Sequence, residues 1–321
     1  MPRGELVIFS GSANPALARD IGKILRVSLG PCETSRFSDG ETRVKINCNV
    51  RGADVFIIQP TCMPVNEHLA ELLFLMDACR RASADHVNAV IPYYGYGRQD
   101  RKEEGRVSLS AKLVANLITT AGADRVIAVD LHAGQIQGFF DIPVDHLLAQ
   151  PILVNYINKH VGIDTGVVVS ADVGRVKRAR NFAERLGLPL AIVDKRRPAP
   201  NLSEVLHVVG DVNGRTAFIF DDMIDTAGTI CNAAKAVVEH GARRVYACCT
   251  HAVLSGNARE RLAEGPIEKI IVTDTIPQSD PGPLKNLVVC SVAPMIAEAI
   301  SRIHTHRSVS EMFDQTADNE F

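Results

Sequence analysis

The chain has 321 residues, 46% of them hydrophobic and 22% charged, an ordinary globular composition that supplies apolar material for two cores. Its 35 basic and 37 acidic residues nearly cancel, which excludes an overall electrostatic footprint for nucleic acid and leaves any phosphate to local clusters. With no signal-peptide core and no apolar run near the ~20 residues of a membrane span, the expectation is a soluble cytoplasmic protein with no membrane partner.

Taken in chain order, short apolar runs predict strands at 6–9 (LVIF), 54–59 (DVFIIQ), 86–92 (HVNAVIP) and 125–130 (RVIAVD). Further strands are predicted at 165–170 (TGVVVS), 190–194 (LAIVD), 216–220 (TAFIF) and 244–249 (RVYACC). Helical spacing lies between them. The segment 66–82 has Asn66 as expected N-cap, with Leu69, Leu72, Leu73 and Met76 on one face. The segments 109–122 and 229–241 each end at a glycine. Strands alternating with helices predict an α/β fold with doubly wound, mainly parallel sheets. One stretch echoes another without gaps, TAGADRVIAVDLHA (120–133) on EHGARRVYACCTHA (239–252), which favours an internal duplication with a boundary near 145–150. Eight cysteines (32, 48, 62, 79, 231, 248, 249, 290) without a CxxC pair read as buried free thiols of a reducing compartment. Residues 306–321 read as a polar, loosely held tail.

The chemistry concentrates at AFIFDDMIDTAGTI (217–230). An apolar strand runs into Asp221 and Asp222, then Asp225, then Thr226, Ala227, Gly228 and Thr229 before a helix near Ile230. Ligands of open α/β sheets bind beyond the carboxyl ends of the strands. Small residues let the backbone approach an anion closely, and helix N-terminal N–H groups and threonine hydroxyls donate to it. Three acids repel a bare phosphate, so they must face sugar hydroxyls or a metal ion carrying other phosphates. A sugar phosphate satisfies the whole stretch. Acids that merely cap the helix are the plainer alternative, and they leave the full DDxxDTAGT pattern unexplained.

FDDMIDTAGTI resembles the phosphoribosyl-diphosphate binding motif shared by type I phosphoribosyltransferases and ribose-phosphate pyrophosphokinases. That motif alone does not separate an enzyme that consumes the diphosphate from one that makes it. Other segments are similar to the pyrophosphokinases. IPYYGYGRQDRK (91–102) implies ATP contacts from Arg98 and Gln99. RFSDGET (36–42) implies Phe37 stacked on adenine, with Asp39, Gly40 and Glu41 alongside, reaching across from a neighbouring subunit. VDLHAGQIQGFFDIPVDH (129–146) implies metal positions at Asp130 and His132, with His132 ligating Mg²⁺ on ATP. Magnesium keeps several waters and few protein ligands, so the nucleotide phosphates would complete its shell.

VVVSADVGR (167–175) puts Asp172 at the family's second metal position. The family usually has PDxGG there, and this chain departs from it with Ala171 and Arg175. The added guanidinium either binds phosphate or obstructs the site. IVDKRRPAPNLSEV (192–205) resembles the family's flexible catalytic loop, in which Lys195 and Arg197 close over the transferring diphosphate.

The resemblance runs from about residue 5 to 313. It implies two similar phosphoribosyltransferase-type domains, 1–148 with the ATP and metal segments and 149–321 with the ribose 5-phosphate and catalytic loops, and an active site at their junction. The implied reaction moves the diphosphate of Mg-ATP to the C1 hydroxyl of ribose 5-phosphate. A non-catalytic regulatory subunit and a phosphoribosyltransferase are the alternatives. Homohexamers are implied too, with allosteric control by phosphate and ADP through positions including Arg51, Arg106, Ser308, Ser310 and Phe313. Asn49, where the family often has serine, and EEGRVS depart from the regulatory pattern.

Overall fold

Runs of Val, Ile and Phe too short for a helix become buried parallel strands, and the longer amphipathic segments between them become helices covering the sheet faces. The computed structural model describes residues 4–196, 205–280 and 282–314, with backbone alone at 195, 196, 205, 206 and 314. Among the described residues, one compact unit comprises 4–148, Thr275–Pro277 and 292–314, and a second comprises 149–274 and Gln278–Ser291.

The first unit contains β1 (Leu6–Ser10), α1 (Pro15–Leu25), β2 (Cys32–Arg36), β3 (Thr42–Ile46), β4 (Asp54–Ile58), α2 (Val65–Arg81), β5 (His86–Ile91), α3 (Ser110–Thr120), β6 (Arg125–Val129) and β7 (Val144–Leu147). Its main sheet has the order β1-β4-β5-β6-β7, all parallel, while β2 and β3 form a separate antiparallel hairpin. Asn14 caps α1 by accepting from the Leu17 N–H at 3.2 Å. Asn66 is not the cap of α2 that the sequence predicts. Pro64 holds that position, and Asn66 lies in the first turn, where it accepts from the Tyr96 hydroxyl.

The second unit contains α4 (Gln150–His160), β8 (Gly166–Ser170), α5 (Val176–Leu186), β9 (Leu190–Arg196), β10 (Val205–Val209), β11 (Thr216–Ile224), α6 (Gly228–Glu239), β12 (Arg244–Ala252), α7 (Ala258–Glu264), β13 (Lys269–Thr273) and β14 (Leu287–Cys290). Its sheet runs β10-β9-β8-β11-β12-β13-β14, parallel except for β10. One face buries Val169, Ile219 and Val245 beneath α6, and the other buries Val168, Phe218 and Phe220 beneath α5.

After β14 the chain forms α8 (Ala293–His304), which packs on α1. His304 Nδ1 lies 2.9 Å from Oδ2 of the fully buried Asp54 at the start of β4. Residues 292–314 therefore group with the first unit, a return of the chain that a single division at residue 148 does not include.

The predicted α/β class with mainly parallel, helix-flanked sheets is borne out. The sequence echo reads differently in three dimensions. Both copies are the same corner, a helix end, a positive-φ glycine (Gly122 at 102°, Gly241 at 89°) and a strand. Yet β6 is the second strand from the β7 edge of β1-β4-β5-β6-β7, and β12 is the third from the β14 edge of β10-β9-β8-β11-β12-β13-β14. The echo thus matches like corners at unlike places. All eight cysteines are free thiols, and burial pushes Cys62 up to about 11. Among the described residues no helix is long and apolar enough to cross a membrane.

Candidate active site

In the second unit the chain passes from β8 outward to β9, then returns to place β11 on the other side of β8. That reversal makes the crevice beyond the carboxyl ends of β8 and β11 the expected ligand position. The acid-rich stretch sits there. β11 extends past the apolar run through Asp221 and Asp222 to Ile224. It stays paired with β12 as far as Ile224↔Ala252, but its ladder with β8 ends at Phe220↔Ser170. The two acids therefore occupy the part of β11 that has left β8, and the turn after β8 fills that side.

Past the strand, Ala227 takes the left-handed conformation (φ 63°) and α6 starts at Gly228. The loop between them is anchored rather than loose. Leu254 N–H donates to Ile224 O at 3.0 Å, Ser255 N–H to Asp225 O at 3.1 Å, and the Ser255 hydroxyl to the Asp225 carboxylate. Arg261 Nη1 donates to Thr226 O at 3.1 Å. Thr226 is exposed, and Gly228 and Thr229 are half-buried at the first turn of a 12-residue helix. Its N-terminal N–H groups make that turn an anion seat.

The turn after β8 is a short 3₁₀ segment, Val173–Arg175, capped by Asp172, whose Oδ1 accepts from Arg175 N–H at 3.0 Å. The Arg175 guanidinium then reaches the acids, with Nη1 2.5 Å from Asp222 Oδ1 and Nε 3.6 Å from Asp221 Oδ1. Arg178 on α5 takes the other Asp222 oxygen at 2.9 Å. Asp222 is 1% exposed, and Asp221 accepts its neighbour's backbone N–H at 2.8 Å.

Burial, and then the adjacent Asp222 carboxylate, push the Asp221 carboxyl up to about 8, against the opposing pull of Arg175. Between the ordinary 3.8 and this value, the folded chain keeps a proton that the unfolded chain has released. Stability contributed here is therefore present at low pH, is lost as pH rises through that window, and levels off above it. Urea unfolding of the unliganded protein from pH 5 to 8.5 should show this fall, at most about 1.4 kcal/mol per pH unit. Asp221→Asn should flatten it, and an unchanged slope in that variant would remove Asp221 as its source.

In the first unit the predicted nucleotide and metal residues lie after β5 and β6. Asp130 follows β6 at φ 39°, held by its N–H to Leu147 O at 2.9 Å, and the next N–H, that of Leu131, donates to His146 Nε2 at 2.9 Å. A Cβ built at Gly97 would lie 3.7 Å from Cβ of His132, and Gln135 donates to Asp100 at 3.1 Å. The Arg98–Gln99 loop and the Asp130–His132 loop are thus brought together, with Arg98 and Gln99 exposed. Among the described residues no group of three or more His, Cys, Asp or Glu side chains gathers as a metal site. Asp130 and His132 at one strand end fit a magnesium that takes most of its oxygens from phosphate and water.

The 37–41 segment is the tip of the β2–β3 hairpin, closed by Phe37 N–H to Glu41 O at 2.8 Å and by Gly40 at φ 94°. It presents Phe37 half exposed, with the Arg43 guanidinium 6.0 Å from the ring centre. Lys195 lies on β9, its backbone paired with Leu206 of β10, so the strand runs beyond the predicted end at 194. Arg197 lies outside the described residues. Sequence reasoning missed His146, Arg178, Ser255 and Arg261, which position the loops. Only Arg178 carried a signal, one helical turn beyond Arg175.

A family model for the N-terminal domain of ribose phosphate pyrophosphokinase matches residues 6–122, and one for the phosphoribosyl synthetase-associated domain matches residues 195–314. A ribose-phosphate pyrophosphokinase of Clostridium tetani is 56% identical over 315 residues, covering 97% of this chain and 98% of that protein. The chain belongs to the ribose-phosphate pyrophosphokinase family. Another member, from Caldanaerobacter subterraneus subsp. tengcongensis, is 57% identical over 96% of this chain and 98% of its own length. Among solved structures, phosphoribosylpyrophosphate synthetase from Mycobacterium smegmatis superimposes with a TM-score of 0.89 at 44% identity, covering 94% of this chain and 99% of that one. The family expected from the motifs is borne out, and family membership favours the catalytic reading over the regulatory-subunit alternative.

Proposed function

We propose that this chain transfers the diphosphate of Mg-ATP to the C1 hydroxyl of ribose 5-phosphate, releasing AMP and 5-phosphoribosyl 1-diphosphate for nucleotide biosynthesis. The C1 oxygen bonds to the β-phosphorus as the bond from that phosphorus to the α,β-bridging oxygen breaks. The observation that carries the reading is the strand–loop–helix at the β8/β11 reversal, buried acids followed by an anchored anion seat.

In this reading the first turn of α6, with Asp225, Thr226, Ala227, Gly228 and Thr229, holds the 5-phosphate, while Asp221 and Asp222 face the ribose hydroxyls. Arg98, Gln99 and the hairpin tip of Phe37, Asp39, Gly40 and Glu41 hold ATP. Asp130 and His132 would hold Mg²⁺ on its phosphates, and Asp172 is a further candidate. When bound, the metal offsets charge on the transferring phosphates. Lys195 and Arg197 add cations there.

A homohexamer controlled by phosphate and ADP, working in the reducing cytoplasm, completes the proposal. The unbridged thiols are consistent with that compartment.

Purified protein with Mg²⁺, ATP and ribose 5-phosphate should form AMP and phosphoribosyl diphosphate one-for-one. ADP as the nucleotide product would replace diphosphate transfer with simple phosphorylation.

The hairpin role has its own test. Stacking of a base on an aromatic ring is worth about 1–3 kcal/mol, so Phe37→Ala should raise KM for ATP about tenfold or more. The ring is half exposed, so thermal stability should hold. An unchanged KM would remove Phe37 from the adenine site.

A further inference from the structure

The sugar site proposed above contains a cation of the chain's own. Both oxygens of Asp222 are taken by guanidinium groups, Oδ1 by Arg175 at 2.5 Å and Oδ2 by Arg178 at 2.9 Å, and the carboxylate is 1% exposed. Asp221 Oδ1 already accepts a backbone N–H at 2.8 Å, and Arg175 Nε lies 3.6 Å from it. Arg175 is also fixed from behind, because its N–H is held by the Asp172 carboxylate at 3.0 Å. Thus one arginine spans both acids, and the residue that sets its turn is the third acid beside the same crevice.

Arg175 and Arg178 already place two cations on this one buried carboxylate, so a divalent ion there would add further positive charge, whose repulsion falls only slowly with distance where water is excluded. Arg178 stands on α5, whereas Arg175 stands on the turn beyond β8 and lies against Asp221 as well as Asp222. A divalent ion approaching the acid pair from the crevice would meet Arg175.

We propose that Arg175 is a built-in counter-ion of the ribose subsite, which satisfies Asp221 and Asp222 without a divalent ion and competes with one for that position. The inference rests on the assignment of these acids to ribose. It makes Arg175 a specificity-determining residue. The subsite takes the sugar through hydroxyl contacts alone, and the catalytic metal requirement falls on residues other than Asp221 and Asp222, the Asp130 and His132 positions first among them.

The test is Mn²⁺ binding to the full chain without nucleotide, followed by electron paramagnetic resonance and by calorimetry. Arg175→Met removes the charge while keeping the length of the side chain. This variant should gain one Mn²⁺ per chain, or bind it at least about tenfold more tightly than the wild type. Arg175→Lys, which keeps the charge, should resemble the wild type. Adding Asp222→Asn to Arg175→Met should abolish the gain, which places the new site at this acid.

Equal Mn²⁺ stoichiometry and affinity in wild type and Arg175→Met would overturn the proposal, as would a gain that survives Asp222→Asn. Circular dichroism confirms that each variant is folded, and if Arg175→Met is not, Arg175→Gln replaces it with the same expectations. Calorimetric titration of the wild type with ribose 5-phosphate separates the two levels of argument. No binding there sinks the sugar-site reading itself, whereas normal sugar binding with unchanged Mn²⁺ sinks only the role of Arg175.

Discussion

Asp222→Ala should lower turnover by about two orders of magnitude or more and reduce stability by about 2–3 kcal/mol. Removing one partner of a buried ion pair typically costs about 3–5 kcal/mol because the other charge is left uncompensated. Here the stranded cations, Arg175 and Arg178, are each about a quarter exposed and can recover part of their hydration, so the lower figure is expected. The two losses have different origins. Stability falls because two guanidiniums lose their shared anion, while turnover falls because the acid proposed to face the ribose hydroxyls is gone. Asp222→Asn separates them, since the amide keeps the shape and one acceptor but not the charge. It should recover part of the stability and little of the rate. Urea unfolding and initial-rate AMP formation read the two effects, and unchanged stability in Asp222→Ala would mean that the arginine pairs contribute nothing in solution.

The parts of the fold that were legible in sequence are those where apolar runs are unbroken. The eight predicted strands and three predicted helices all form, with ends shifted by a few residues. Strand β2 (CETSR) escaped because it is polar and lies largely in solvent, and β3 (TRVKI) because its alternation rests on only Val44 and Ile46, half-buried against the core, among polar neighbours. β11 and β12 run further than their apolar segments. Each supports the other's backbone up to Ile224 and Ala252, which lets carboxylates stand inside a strand. At the site, the juxtaposition of the acids and the small-residue turn at the start of a helix was readable because strand, acids and small residues are contiguous. The grip on that loop was not, because Ser255 and Arg261 arrive from a segment about 30 residues away and nothing local marks them. Arg175 stood out in sequence as a departure, but whether it faced phosphate or the acids depended on where the β8 ladder ends.

Gly228→Val should raise KM for ribose 5-phosphate about 100-fold while leaving the melting temperature unchanged. The fold gives no reason for a glycine at this position. A Cβ there would meet only Arg261 Nη1, at 3.9 Å, and the left-handed conformation of the turn belongs to Ala227 instead. As the first residue of α6, position 228 tolerates any helix former, so alanine or valine should fold as well as glycine. What a side chain would change is the approach to the N–H groups of the first turn, the donors proposed to hold the phosphate. Gly228→Ala should therefore show an intermediate rise, and both variants should keep most of kcat at saturating sugar, because the lost contact is made equally in ground and transition states. Thr229→Val removes one hydroxyl donor without adding bulk near the backbone, so its effect should be the smallest of the three. Equal KM values across the series would place the phosphate elsewhere. A fall in melting temperature that tracks the size of the side chain would instead make Gly228 a packing residue, because only crowding within the fold couples bulk at this position to stability.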